Sequence, residues 1–130
     1  DFFLTYGDSL TNFNPAKAIK FRKSKKNSFI VSYFKYFIPY GVLGILKNKK
    51  IKFIKEKNLT TNINAGFYIF DKRIFNFIKK NKDSFEKNVL PRVLKDKKTS
   101  LYGLKCTFWH PMDTHADRFN LEQVLKKNNL

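Results

Sequence analysis

With 130 residues, 42% of them hydrophobic and 17% aromatic, the chain can bury one domain-sized core and is too apolar to read as disordered. Its longest apolar run, 29–37, is broken by Ser32 and Lys35, far short of the roughly 20 residues of a spanning helix, so no membrane association is expected. The net charge of +17 is nearly all lysine, scattered along the chain, whereas nucleic-acid recognition favours clustered arginine; this argues against a nucleic-acid partner and for a solvated surface.

The chain opens on Phe2-Phe3-Leu4, an apolar run without an initiator methionine or signal-like segment, read as a buried strand ending at Gly7-Asp8. A core strand at the very start raises the expectation that the N-terminal part of the fold is missing. Asn14-Pro15 supplies an N-cap and a first-turn proline for a basic helix to about Lys26. A β-branched and aromatic strand covers Ser28–Phe34. Residues 40–47 and 51–57 form a predicted hairpin around Lys47-Asn48-Lys49-Lys50. A strand over Ile63–Phe70 follows, then a helix capped by Asp71 and running through Lys80. Asp83 with Glu86 resembles a capping box for the next helix, which Pro91 kinks or restarts. A strand at Leu101–Thr107 and a helix from the Thr114/Asp117 pair to about Lys127 complete the chain. This alternation predicts an α/β class with a mixed sheet flanked by helices, and residues 1–130 as one unit without an internal boundary.

The single Cys106 excludes an internal disulfide and a cysteine zinc cluster, which fits a reducing cytoplasm, and it reads as packing. Asp8 follows a strand, where open α/β sheets place ligands, and suits a hard cation such as Mg²⁺; it equally suits an ordinary turn. Asp113, between a strand and a helix, is either a second Mg²⁺ ligand or a residue beside a helix N-terminus. Spacing alone does not show that the two meet. Glu56-Lys57 offers a hydroxyl acceptor and a phosphate cation, or an exposed charge pair. Asn64-Ala65-Gly66 permits close ligand approach at Gly66, or marks a bulge. His110 and His115, five apart with Pro111 between, lack helical zinc spacing. Trp109 reads as a core or pocket-wall aromatic. No G-x-G-x-x-G or P-loop glycine motif is present.

Four blocks in order carry a resemblance. Phe3-Leu4-Thr5-Tyr6-Gly7-Asp8-Ser9 is similar to a "TYGD" segment, and Ile51-Lys52-Phe53-Ile54-Lys55-Glu56-Lys57 to an "F-x-EKP" strand. Ile63-Asn64-Ala65-Gly66-Phe67-Tyr68 is similar to "INGGF", and Phe108-Trp109-His110-Pro111-Met112-Asp113-Thr114 to "FWQPMDT", followed by a similar helix at Asp117, Leu121 and Glu122. Together they resemble the C-terminal half of sugar-1-phosphate nucleotidyltransferases, with the Pro-Met-Asp-Thr block favouring the glucose-1-phosphate cytidylyltransferase branch. The resemblance implies a Rossmann-like, GT-A-like nucleotidyltransferase fold. It also implies transfer of a nucleotidyl group, CMP from CTP, to a sugar 1-phosphate with release of pyrophosphate. By the same resemblance Asp8 and Asp113 ligate Mg²⁺, Lys57 holds the sugar phosphate, and Glu56, Asn64 and Gly66 contact the sugar. Sister branches using dTTP, UTP or GTP, and a non-catalytic sugar-phosphate-binding module, remain alternatives. A homo-oligomer serving nucleotide-sugar supply for polysaccharide is implied as well. Departures are Asn58 where the family has proline, Ala65 for glycine, and His110 for glutamine. The family's N-terminal G-x-G-T-R-L loop is absent from these residues, so no turnover is expected from the 130 residues alone.

Overall fold

A computed structural model describes residues 1–55 and 59–127. Glu56 and Lys57, two of the expected site residues, lie outside the described residues, as does Asn58.

The central sheet has four strands in the order β1-β6-β3-β7, namely Phe2–Thr5, Thr60–Phe70, Ser28–Phe37 and Ser100–Cys106. β6 runs antiparallel to both β1 and β3, while β3 and β7 are parallel, so the sheet is mixed as the alternation predicts. Two smaller antiparallel pairs stand beside it. β2 (Ser9–Thr11) pairs with β8 (Trp109–Pro111), and β4 (Val42–Ile45) pairs with β5 (Ile51–Lys55).

Strand alternation explains the layers, because successive side chains point to opposite faces. On one face Phe29, Tyr68 and Phe70 are buried with Ile74, Val89 and Val93 from the segment that crosses back over the sheet. On the other face the neighbours Ile30 and Ile69 receive Ala18 of α1 (Pro15–Lys23), with Phe13, Phe21 and Tyr102 packed around them. Each fully buried large apolar side chain contributes about 1.5–3 kcal/mol. The small Ala18, fully buried, lets the helix backbone sit close to the sheet. No helix among the described residues is long and apolar enough to cross a membrane.

Several element boundaries differ from expectation for identifiable reasons. Asn14 caps α1 as predicted, accepting from Lys17 N at 2.9 Å, but the helix stops at Lys23. Ser24 closes it there, through its amide to Lys20 O and its hydroxyl to Phe21 O. The helix expected from Asp71 through Lys80 is a 3₁₀ helix over Lys72–Phe77. It cannot continue, because the amides of Lys79 and Lys80 bond to the Asp83 carboxylate instead of to carbonyls one turn back.

That use of Asp83 also corrects the expected Asp83/Glu86 capping box. Ser84 is the N-cap instead, accepting from Lys87 N, and Ser84 N donates to Asn88 Oδ1 at 2.8 Å. The first turn, Phe85–Val89, is π-helical, and α2 (Leu90–Lys95) begins only at Pro91's threshold. A proline ring collides with the carbonyl four residues back and lacks an amide, so the wide turn before Pro91 removes that conflict. The last helix, α3 (His115–Lys127), starts as predicted: Thr114 Oγ1 accepts from Asp117 N, and Asp117 Oδ2 accepts from Thr114 N.

Candidate functional site

The two short strands that sequence periodicity misses, β2 and β8, are what bring the distant motifs together. Ser9 lies opposite Pro111, so the next residues outward, Asp8 and Met112, are also neighbours; Met112 N donates to Asp8 O at 2.8 Å. Asp113 follows immediately. Asp8 and Asp113, 105 positions apart in the chain, therefore line one pocket of about 160 Å³ with Tyr6, Ser9, Asn64, Ala65, Gly66, Glu86, Trp109 and Pro111.

Gly7 makes the approach from β1 feasible. Its φ of +80° is a conformation glycine adopts without strain, and it turns the chain from β1 into β2. Both aspartates are exposed, and neither forms an ion pair among the described residues.

The Asn64-Ala65-Gly66 segment is a bulge as well as a pocket wall. Val31 pairs with Tyr68 while Tyr33 pairs with Asn64, so β6 carries two extra residues against β3. Ser32, fully buried, accepts from the displaced Phe67 amide at 3.0 Å. Asn64 Oδ1 accepts from Gly66 N at 3.1 Å, closing a local turn, and Gly66 has φ +78°. Gly66 O in turn accepts from Tyr6 N, tying the bulge to the end of β1.

Glu86 was not singled out for the site by its sequence context, which suggested a helix cap. The structure turns it towards Asn64 Nδ2, which donates to Glu86 Oε1 and to the Tyr68 hydroxyl. The Tyr6 ring packs edge-on against Tyr68, with centroids 5.6 Å apart, and lines the same pocket as Glu86. Burial and this network push the Tyr68 phenol strongly up, and burial pushes Tyr6 up to a lesser degree, so both stay protonated donors. Nothing local in the sequence announces this network, because its members come from three separate elements.

Trp109 forms a wall of the pocket, held by Phe34 (stacked, centroids 6.1 Å) and Tyr36 (edge-on, 6.4 Å). His110 sits outside the pocket's lining and has Nδ1 2.8 Å from Pro111 O. Cys106 is buried, with its thiol pushed up by desolvation, which suits packing and not nucleophilic chemistry.

The residues present fit Mg²⁺. The ion takes oxygen ligands, keeps several waters and is commonly held by one or two carboxylates together with substrate phosphates. Two unpaired carboxylates on one open pocket are such a donor set. Among the described residues no cluster of three or more His, Cys, Asp or Glu could enclose a metal alone, so phosphate oxygens and water would complete the shell.

An α/β domain with paired carboxylates in a cleft beyond a strand end is the layout of a phosphate-handling enzyme class. The profile of the nucleotidyl transferase family matches residues 1–127, and the chain belongs to that family. It is 25% identical over 124 residues to a protein described as a probable glucose-1-phosphate cytidylyltransferase of Bacillus subtilis (strain 168), covering 95% of this chain and 48% of that protein. Among solved structures, HddC from Yersinia pseudotuberculosis is similar at TM-score 0.58 and 25% identity, over 92% of this chain and 52% of that one. A putative glucose-1-phosphate thymidylyltransferase from Bacillus anthracis shares the fold at TM-score 0.57 and 18% identity, over 91% and 51%. The chain thus spans about half the length of the relatives it matches.

Proposed function

We propose that this chain supplies the sugar-phosphate and metal-binding half of a Mg²⁺-dependent sugar-1-phosphate nucleotidyltransferase, moving CMP from CTP to glucose 1-phosphate. The observation that carries the reading is the convergence of Asp8 and Asp113 on one pocket through the β2–β8 pair. In the reaction a phosphate oxygen of the sugar 1-phosphate forms a bond to the α-phosphorus, and the bond from that phosphorus to the bridging oxygen breaks, releasing pyrophosphate. Bound between Asp8 and Asp113, Mg²⁺ would supply charge neutralisation at the phosphates. The protein's own part is alignment, which accounts for much of the rate in such transfers. Lys57 offsets the sugar phosphate, Glu56 accepts from sugar hydroxyls, and Gly66 presents bare backbone where the ring passes, with Asn64 beside it. The homo-oligomer and the role in polysaccharide supply belong to the same proposal.

CTP is favoured by the Pro111-Met112-Asp113-Thr114 block and by the Bacillus subtilis relative. A guanine triphosphate is the second reading, since the equally similar Yersinia protein has been solved complexed with GMP-PN. The test is pyrophosphate release by the protein as its gene encodes it, with glucose 1-phosphate and Mg²⁺, against CTP, UTP, dTTP and GTP in turn. Turnover with CTP is expected. Turnover with another triphosphate alone would move the protein to a sister branch, and none with any of them would favour a non-catalytic binding module.

A further inference from the structure

The Asn64 amide has no donor left for a substrate. Its two N–H groups go to Glu86 and Tyr68, and its oxygen accepts from Gly66 N at 3.1 Å. Tyr6 packs edge-on against Tyr68 beside this group, with ring centroids 5.6 Å apart. Linked hydrogen bonds of this kind polarise their members and fix their geometry. Both N–H groups of Asn64 are consumed within the group, and its one anionic member is Glu86. That carboxylate is exposed, accepts from Asn64, and retains lone pairs on both oxygens.

Position makes this consequential. Asn64 and Glu86 line the carboxylate pocket of about 160 Å³ and also a neighbouring cavity of about 470 Å³ walled by Val31, Leu90 and Leu101. The first is smaller than the roughly 300 Å³ at which small-molecule sites begin. A sugar whose phosphate sits beside Asp8 and Asp113 therefore extends past the Asn64–Glu86 partition.

We propose that Glu86 is a specificity-determining acceptor for sugar hydroxyls, and that Asn64 is a positioning residue that aims Glu86 and does not itself bind the sugar. This rests on the sugar-1-phosphate reading above and revises the role that the resemblance gives Asn64. A carboxylate positioned by a neighbouring amide donor discriminates a hydroxyl from its absence far better than an apolar wall does.

The test compares glucose 1-phosphate with its monodeoxy analogues in the wild type, Glu86→Gln, Asn64→Ala and the double variant Asn64→Ala/Glu86→Gln. In the wild type one analogue should lose about tenfold or more in kcat/KM. Glu86→Gln should raise the KM for glucose 1-phosphate by a similar factor, leave the triphosphate KM within threefold, and no longer distinguish that analogue. Asn64→Ala should share this signature, and the double variant should be no worse than the poorer single one. If Asn64→Ala fails to fold, Glu86→Gln still decides the acceptor role. Losses that multiply would mean that Asn64 touches the sugar independently, overturning its positioning role. A wild-type sugar KM in Glu86→Gln, in a protein that does turn over sugar 1-phosphate, overturns this proposal and leaves the functional reading standing. Absence of both turnover and glucose 1-phosphate binding in the wild type overturns the two together.

Discussion

Gly66 and Gly103 are constrained by different forces, and alanine at each separates them. At Gly66 an added Cβ would meet Ser9 Oγ and Tyr6 Cδ2 at 3.5 Å, which is ordinary contact, so the φ of +78° sets the cost. Gly66→Ala should therefore lose about 1–2 kcal/mol, the usual penalty of left-handed backbone for an L residue, read from urea unfolding. At Gly103 the backbone is unstrained, but a Cβ would lie 2.9 Å from the Tyr33 ring, so the loss there should be recovered by the further change Tyr33→Leu. Asp71 gives a pH signature. Arg73 forks onto its carboxylate, with Nε to Oδ1 at 2.9 Å and Nη2 to Oδ2 at 2.7 Å, and Arg22 joins them. Hydrogen bonds from Arg73 hold the Asp71 carboxyl down to about 2. Because the folded value lies below the unfolded one, about 3.9, the unfolded state binds more protons as acid is added. The stabilisation is complete above about pH 4 and disappears as the pH falls through about 2. Thermal midpoints measured from pH 5 to pH 2 should drop less steeply in Asp71→Asn than in the wild type; parallel curves would contradict this.

At the scale of elements, the legible parts of the chain were those whose signals are local. The Asn14-Pro15 and Thr114/Asp117 starts form as their side chains dictate, and the strands at 28–34 and 63–70 lie within β3 and β6. Thr114→Ala should cost about 1 kcal/mol by removing the acceptor for Asp117 N, measured as a loss in unfolding free energy. The misreadings came from competition that local pattern does not contain. Asp83 looks like a cap until its carboxylate is claimed by two amides upstream and by Arg92 nine residues later. β2 and β8, three residues each, are too short for a period to register and exist only because they pair with each other. The same limit applied to the site. Asp8, Asp113, Asn64 and Gly66 are singled out by resemblance, whereas their sharing of one pocket depends on β2–β8, and Glu86, which lines it too, carries a plausible helical role in sequence.

At the scale of the whole molecule, the chain has the mixed α/β fold of its family and a carboxylate-lined pocket at the edge of the central sheet. Its ion pairs among the described residues all belong to arginines, while Lys25 lies over the Phe21 and Tyr102 rings at 5.8 and 5.6 Å. Because the relatives are about twice as long, the 130 residues by themselves should give no measurable pyrophosphate release with any of the four triphosphates. A rate comparable to that of the gene-encoded protein would show that these residues hold a complete site.

The central claim is that Asp8 and Asp113 act as one site in nucleotidyl transfer, and a double-variant cycle on pyrophosphate release tests it most directly. With CTP, glucose 1-phosphate and Mg²⁺, Asp8→Asn and Asp113→Asn should each lower kcat/KM by about 100-fold or more. The double variant should be scarcely worse than either, because groups that act as a unit fail together. Either variant retaining wild-type turnover, or losses that multiply in the double variant, would contradict the account.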